Sequence, residues 1–388
     1  MTDILALENL RTSGVYNKRS VTMVRGKGAL LWDDQGREYI DCVGGQGAAN
    51  LGHANAVVAA AIAEQAQRLI SLNEIFPNDQ RAALMDRLCR LADMPRVYLC
   101  NSGTEAVEAA FKFARAVTKR TEIIAAMRGF HGRTFGSLSA TWNKVYREPF
   151  EPLVPGFRHV PYNNLDALSK AVNENTAAVI LEIVQGEGGV YLGTREYLRG
   201  AQQLCQERGA MFILDEVQTG FGRTGKMFAF QHHDLHPDLL CVAKSIAGGL
   251  PMGATLIGER VGVLPGHIHG STFGGNPLAC AASLAALSEM ERLDLPARAA
   301  ENGAHFMERL QEINSPLIRE VRGMGLIVGV ELKKKSAPFL QALTEHGVVA
   351  LTAGLNVIRF LPPLVISPEQ LDSVADTLEK VLMEPVTD

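Results

Sequence analysis

Three short stretches of this chain carry residue types that can do chemistry together. In the first, Asn101-Ser102-Gly103-Thr104-Glu105-Ala106 follows an apolar run and opens a helical pattern. Free backbone N–H groups and the helix dipole make such a junction an anion site, and the Ser102 and Thr104 hydroxyls could add donors to a phosphate. Ser102-x-x-Glu105 also has the spacing of a capping box, which leaves other N–H groups free. In the second, Leu214-Asp215-Glu216-Val217-Gln218, an acid lies near the C-terminal end of an apolar run, the edge where open α/β sheets bind ligands. Alternation puts Asp215 and Val217 on one face with Glu216 opposite. A buried carboxylate needs a cationic partner; a protonated pyridine nitrogen would serve, and so would an arginine in a purely structural pair. In the third, Cys241-Val242-Ala243-Lys244-Ser245-Ile246-Ala247-Gly248-Gly249, one lysine stands between an apolar run and a glycine turn. Burial lowers a lysine pKa and only the free amine attacks an aldehyde, whereas most strand-end lysines simply reach water. Each stretch alone admits its bland reading. Phosphate turn, strand-end acid and glycine-flanked amine, in this order, point to one site.

The elements that must position them read as strand–helix alternation. Arg96–Asn101, Glu122–Met127, Ala177–Val184, Ala210–Val217 and Leu239–Ala243 are short apolar runs suited to a sheet buried on both faces. Thr104–Ala116 and Thr194–Arg208 are helical patterns among them, so the sequence predicts an α/β fold with a mostly parallel sheet. Residues 1–49 read as an extended or short-stranded arm with hairpin signals around Asp33, Asp34 and Gly36, and Ala54–Arg68 as a helix. Beyond Gly274-Gly275-Asn276-Pro277 come helical patterns at about 278–293 and 296–314 and strands around 318–332, 348–351 and 357–361. A last helix follows near 367–383. The expected organisation is an N-terminal arm contributing to a small domain (1–49), a large domain (50–277) and a smaller C-terminal α+β domain (278–388).

Composition sets the outer bounds. A chain of 388 residues, 47% hydrophobic and 21% charged, has the make-up of a globular protein of about two domains. The net charge of −4 and the lack of a basic stripe argue against nucleic acid as the main ligand; Lys333-Lys334-Lys335 reads as a solvated element end. Six cysteines stand singly, with no Cys-x-x-Cys pair, which fits a reducing compartment and gives no zinc spacing. The clusters His232, His233, His236 and His267, His269 read as loop or packing residues, and no metal site is expected. MTDILALENLRTSG has no basic, apolar leader pattern and no run is long enough to span a bilayer. The expectation is a cytoplasmic protein that engages no membrane.

Nearly the whole chain resembles the class III aminotransferases of fold type I, specifically the acetylornithine aminotransferase group. The resemblance runs through VRGKGALLWDDQGREYIDC, NLGH, NSGTEAVEAA, GFHGRT, QGEGGV, LDEVQTGFGRTG, AKSIAGGLPMGA, STFGGNPLA, REVRGMGLIVGVEL and VIRFLPPL. Within the group, SGVYNKR, YIDCVGG and REVRGMGL look most like enzymes acting on carrier-protein-linked or N-acetylated lysine and ornithine. The sequence departs from the family where Ile183, in place of a proline, follows Glu182.

The resemblance implies a pyridoxal 5'-phosphate enzyme whose cofactor is held as a Schiff base on Lys244, which then shuttles a proton. By the same pattern Asp215 pairs with the pyridinium nitrogen, and Ser102, Gly103 and Thr104 hold the phosphate. Gln218 contacts the phenolic oxygen, Val217 packs under the ring and Phe130 stacks on its other face. His131 reads as a shape or hydrogen-bonding residue. Thr272 matches a residue that reaches the neighbouring subunit's phosphate, which implies a homodimer with shared active sites. Arg133 and Arg359 match carboxylate binders, for which guanidinium is suited, and Glu187 matches an acid pairing with Arg359 as a gate; a static salt bridge is the alternative. The implied reaction moves the terminal amino group of an N2-acylated ornithine or lysine to 2-oxoglutarate, giving a semialdehyde and glutamate, in arginine or lysine biosynthesis. A small acidic carrier protein stays open as a partner. Ornithine, succinylornithine or 4-aminobutyrate as donor, and a single-substrate aminomutase, are the alternatives.

Overall fold

The computed structural model describes residues 3–384. Near the N-terminus Met23–Lys27 (β1), Leu30–Asp33 (β2) and Glu38–Asp41 (β3) form a meander, the β2–β3 turn closing over Asp33, which accepts from the Gln35 and Arg37 N–H groups. Ahead of it the expected arm contains a helix, Ile4–Arg11, against the extended or short-stranded reading. Asp3 accepts from the Ala6 N–H at 3.0 Å as an N-cap, yet no residue of that helix is buried. With no core face to bury, its sequence gives little apolar periodicity to read.

A seven-stranded sheet follows from Arg96–Cys100 (β4), Glu122–Ala126 (β5), Phe157–Val160 (β6), Thr176–Leu181 (β7), Met211–Asp215 (β10), Leu239–Val242 (β11) and Gly253–Ile257 (β12), the short pair Val184–Gln185 (β8) and Tyr191–Leu192 (β9) standing apart. The order is β4-β12-β11-β10-β7-β5-β6. β12 runs antiparallel to both its neighbours and the other pairings are parallel. Every residue of β7, β10, β11 and β12 is buried, as a sheet covered by helices on both faces requires.

The C-terminal part adds Ile318–Met324 (β13), Ile327–Leu332 (β14), Val348–Val349 (β15), Leu351–Ala353 (β16) and Val357–Phe360 (β17). Four of them make an antiparallel sheet in the order β13-β14-β17-β16, while β15 joins β3 in parallel. Leu295–Gln311 packs on β13 and β14 and Pro368–Met383 packs on that helix, whereas Pro277–Arg292 packs on the helices Ala56–Arg68 and Asp79–Ala92. Lys333, Lys334 and Lys335 are exposed just past β14. Arg223 is fully buried and bonds the Leu326 and Pro362 carbonyls and the Asn50 side chain, so the loop after β10 is tied to the small sheet. No helix among the described residues is long and apolar enough to cross a membrane.

Candidate active site

A cavity of about 500 Å³ opens at the C-terminal ends of β10 and β11, within the range of small-molecule sites, roughly 300–1,000 Å³. It gathers Ser102, Gly103, Thr104, Phe130, Arg133, Glu187, Asp215, Val217, Gln218 and Lys244 from separate parts of the chain.

Lys244 follows β11 with a left-handed backbone, φ 47°, a conformation costly for a residue with a side chain and found where the surroundings enforce it. The next residue helps enforce it: the Ser245 hydroxyl donates to the Gly47 carbonyl at 2.8 Å. Burial lowers the Lys244 pKa, with the charge of Glu187 working against it, so a larger share of the amine is unprotonated than on a solvated lysine.

Asp215 closes β10 and is 5% exposed. Its Oδ1 accepts the Val217 N–H at 3.0 Å, and its Oδ2 lies 2.8 Å from His131 Nδ1. Burial opposes charging that imidazole, but the hydrogen bond and charge of Asp215 outweigh it and raise the pKa of His131 above the ordinary histidine value. His131 Nε2 is buried without a partner. On the opposite face Glu216 accepts from Ala229, Phe230 and Thr219, fixing the loop that follows; burial pushes its pKa up to about 7.

The helix Gly103–Thr118 starts at the cavity wall. Ser102 caps it, accepting from the Glu105 N–H and donating to the Glu105 carboxylate, which also takes the Asn101 N–H. Glu105 thus stands at the usual capping-box position but takes the N–H of the residue before the cap, and the N–H groups of Gly103 and Thr104 have no acceptor within the helix. Thr104 Oγ1 is shared with Thr134 and Ser137 at 2.8 and 2.6 Å. Val217 lies against this turn: a Cβ on Gly103 would come within 2.7 Å of it.

Arg359, 1% exposed, does not itself line the cavity but stands behind two residues that do: its Nη2 lies 2.7 Å from Glu187 Oε1 and its Nη1 donates to Gln218 Oε1 at 3.1 Å. Arg133 stacks on Tyr146 at 3.5 Å and lies 5.5 Å from the Phe130 ring. Thr272 is exposed and does not line this cavity.

An amine of lowered pKa, a buried carboxylate and unsatisfied helix N–H groups on one cavity fit a compound with an aldehyde, a basic ring nitrogen and a phosphate. The class-III aminotransferase family model matches residues 13–382. The chain is 51% identical to the [LysW]-aminoadipate semialdehyde transaminase of Deinococcus radiodurans, over 97% of this chain and 90% of that one. It is 44% identical to the acetylornithine aminotransferase of Methanothermobacter thermautotrophicus, over 98% and 99%. The protein belongs to the class-III aminotransferases. A solved ornithine aminotransferase of Toxoplasma gondii, described with partial occupancy of PLP at its active site, superposes with a TM-score of 0.94 at 34% identity, covering 98% of this chain and 93% of that one. The protein is thus a pyridoxal-phosphate-dependent aminotransferase with the α/β fold type I architecture.

One member of the site, Glu182, escapes a reading of motifs, and the partner of another, His131, does too. His131 is the hydrogen-bonding residue expected, with Asp215 as its partner, and Glu182 lines the cavity with its Oε1 accepting the Phe130 N–H at 2.9 Å. The only signal in each case was an ionisable side chain in a loop or at a strand end, which by itself does not reveal the partner.

Proposed function

We propose that the enzyme transfers the terminal amino group of an N2-acylated lysine or ornithine, acetylated or carrier-linked, to 2-oxoglutarate, releasing a semialdehyde and glutamate. The observation that carries this is the ion pair at 2.7 Å between Glu187, which lines the cavity, and Arg359 buried behind it. A transaminase must admit two donors in one pocket: a terminal amine with no carboxylate close by, and glutamate with its α-carboxylate. With Glu187 on it, Arg359 has its charge met and accepts the first; with Glu187 swung away, its fork takes the carboxylate of the second bidentately. Arg133, free of an acidic partner among the described residues, serves the remaining substrate carboxylate.

When bound, pyridoxal phosphate supplies an electron sink that spreads carbanionic charge into its ring. The chain's residues do the rest. Gly103 and Thr104 N–H groups, with the Ser102 and Thr104 hydroxyls, hold the phosphate. Asp215, oriented by His131, keeps the proton on the ring nitrogen. Val217 and Phe130 would confine the ring, and Gln218 would serve its phenolic oxygen. The Lys244 amine, buried and lowered in pKa, would anchor the cofactor and then carry the proton at the substrate's reacting carbon. We read residues 50–277 as the cofactor-binding domain, with 1–49 and 278–388 forming the smaller one; residues 1, 2 and 385–388 lie outside the described residues. Thr272, exposed in one chain, is assigned to the phosphate of a second subunit in a homodimer, and a small acidic carrier protein is the partner if the substrate is carrier-linked, with the cytoplasm as the compartment.

A donor panel tests the reading: N-acetyllysine, N-acetylornithine, carrier-linked lysine, ornithine and 4-aminobutyrate ranked by kcat/KM with 2-oxoglutarate. N2-blocked donors should lead. A clear win for free ornithine or 4-aminobutyrate would overturn the substrate assignment.

A further inference from the structure

Arg322 lies outside the residues given a catalytic or binding role, yet it grips the segment that carries Glu187. In the small sheet Arg322 on β13 pairs with Gly329 on β14, and Gly329 pairs with Arg359 on β17. Directly paired residues of antiparallel strands project from one face, so two arginines flank a glycine on the same side. The missing side chain leaves room for Val190: a Cβ on Gly329 would stand 3.0 Å from the Val190 side chain. The segment from Glu187 to Tyr191 therefore lies across this face and is held at both edges.

At one edge Arg359 takes Glu187. At the other, Arg322 Nε and Nη2 donate to the Gly189 carbonyl at 2.9 and 2.6 Å. Arg322 Nη1 is in turn fixed by Glu331 at 2.7 Å and Glu320 at 2.6 Å. The Tyr191 ring lies 4.0 Å from the same guanidinium and its hydroxyl donates to Glu331 at 3.2 Å. The Gly189 anchor uses a backbone carbonyl and not the Glu187 side chain, so it persists when the Glu187–Arg359 pair opens.

We propose that Arg322 is a positioning residue for donor choice: it pins the Glu187 segment to the small sheet, so that Glu187 leaves and re-finds Arg359 by side-chain rotation alone. The inference rests on the gate reading of Glu187 and Arg359 given above. Without the pin, opening the pair would release the whole segment, Arg359 would stay bare, and glutamate would gain over the terminal-amine donor.

The cofactor-loaded enzyme is compared with Arg322→Lys, Arg322→Met, Glu187→Ala and the Arg322→Met/Glu187→Ala double variant. Each is assayed with N-acetylornithine and with glutamate as separate half-reactions, and amide hydrogen exchange is followed over 186–191. Arg322→Lys keeps a charge for Glu331 and hence the fold, but loses the paired donors to Gly189. It should already lower the N-acetylornithine-to-glutamate ratio of kcat/KM, and Arg322→Met should lower it by about tenfold, the size of a coupled contact. Exchange over 186–191 should quicken in both. In the Glu187→Ala background Arg322→Met should shift the ratio no further. Equal losses in both half-reactions, additive effects in the double variant or unchanged exchange would overturn the role given to Arg322. If Glu187→Ala itself leaves the ratio unchanged, it is the gate that fails; if Glu187→Ala shifts it and the Arg322 variants do not, only the Arg322 inference fails.

Discussion

Replacing Glu182 by glutamine should stabilise the protein at neutral pH. Glu182 follows β7, is 7% exposed and spends Oε1 on the Phe130 N–H. Burial, reinforced by the charge of Asp215, outweighs the opposing pull of His131, the Phe130 N–H and Lys244 and pushes its pKa up to about 8 from an ordinary 4.5. Folding at neutral pH must then place a proton on a group that is ionised in the unfolded chain. The sign follows from proton counts. Between the unfolded and folded pKa values the native state holds one more proton, so the contribution of Glu182 to stability is fully present below the unfolded value. It falls by about 1.4 kcal/mol per pH unit as pH rises, and its loss is complete above about pH 8. Glutamine is neutral throughout and keeps an oxygen for the Phe130 N–H. Glu182→Gln should match the parent near pH 4.5, exceed it by on the order of 3 kcal/mol at pH 7, and hold a constant margin above about pH 8. Urea unfolding of both proteins, without added pyridoxal phosphate, in unit steps from about pH 5 to about pH 9 reads the difference directly. Parallel profiles, or a variant less stable at pH 7, would refute the burial argument. Because the carboxyl faces the cavity, the gain should come with lower kcat/KM, as when strain is kept for function.

Lys244→Ala should abolish the absorbance band near the visible edge that marks the cofactor's bond to the amine. It should also lower transamination by at least about 10²–10⁴-fold, the usual contribution of a positioned proton carrier; a retained band would exclude Lys244 as the anchor. His131→Ala strands the buried Asp215 carboxylate without its imidazole and should cost about 3–5 kcal/mol, read as a lower Tm, with unchanged Tm counting against the pair. In Gly186→Ala the new Cβ would meet Gln218 Oε1 at 1.7 Å and Arg359 Nη1 at 3.4 Å. The displaced Gln218 should weaken cofactor retention on dialysis by about 1–3 kcal/mol, and tight retention would show that Gln218 can move freely.

What the sequence made legible follows from which contacts are local. Lys244, Asp215 and the Ser102–Thr104 turn all sit at ends of strands in one mostly parallel sheet, so reading each strand was enough to bring them to one edge. In the large sheet the strands missed by pattern were β6, only one of whose residues is buried, and β12, whose Gly-Ala-Thr-Leu-Ile resembles a turn leaving the glycine loop. The helices Asp79–Ala92 and Ala337–Glu345 also went unread, although Leu84, Leu88 and Ala92 in the first and Phe339, Leu340 and Leu343 in the second are buried at helical spacing. The His131–Asp215 contact joins the loop after β5 to the end of β10, two strands away in the sheet, and no spacing in the chain encodes that distance. The grip on the Glu187 segment is less legible still. It depends on Arg322, Gly329 and Arg359 falling in register across three strands, where a slip of one residue would turn a side chain to the other face. On the proposed gate, donor choice depends on strand register in the small sheet as well as on the residues lining the cavity. A one-residue insertion in the Gly325 turn between β13 and β14 should therefore shift the N-acetylornithine-to-glutamate preference while the cofactor's absorbance band stays.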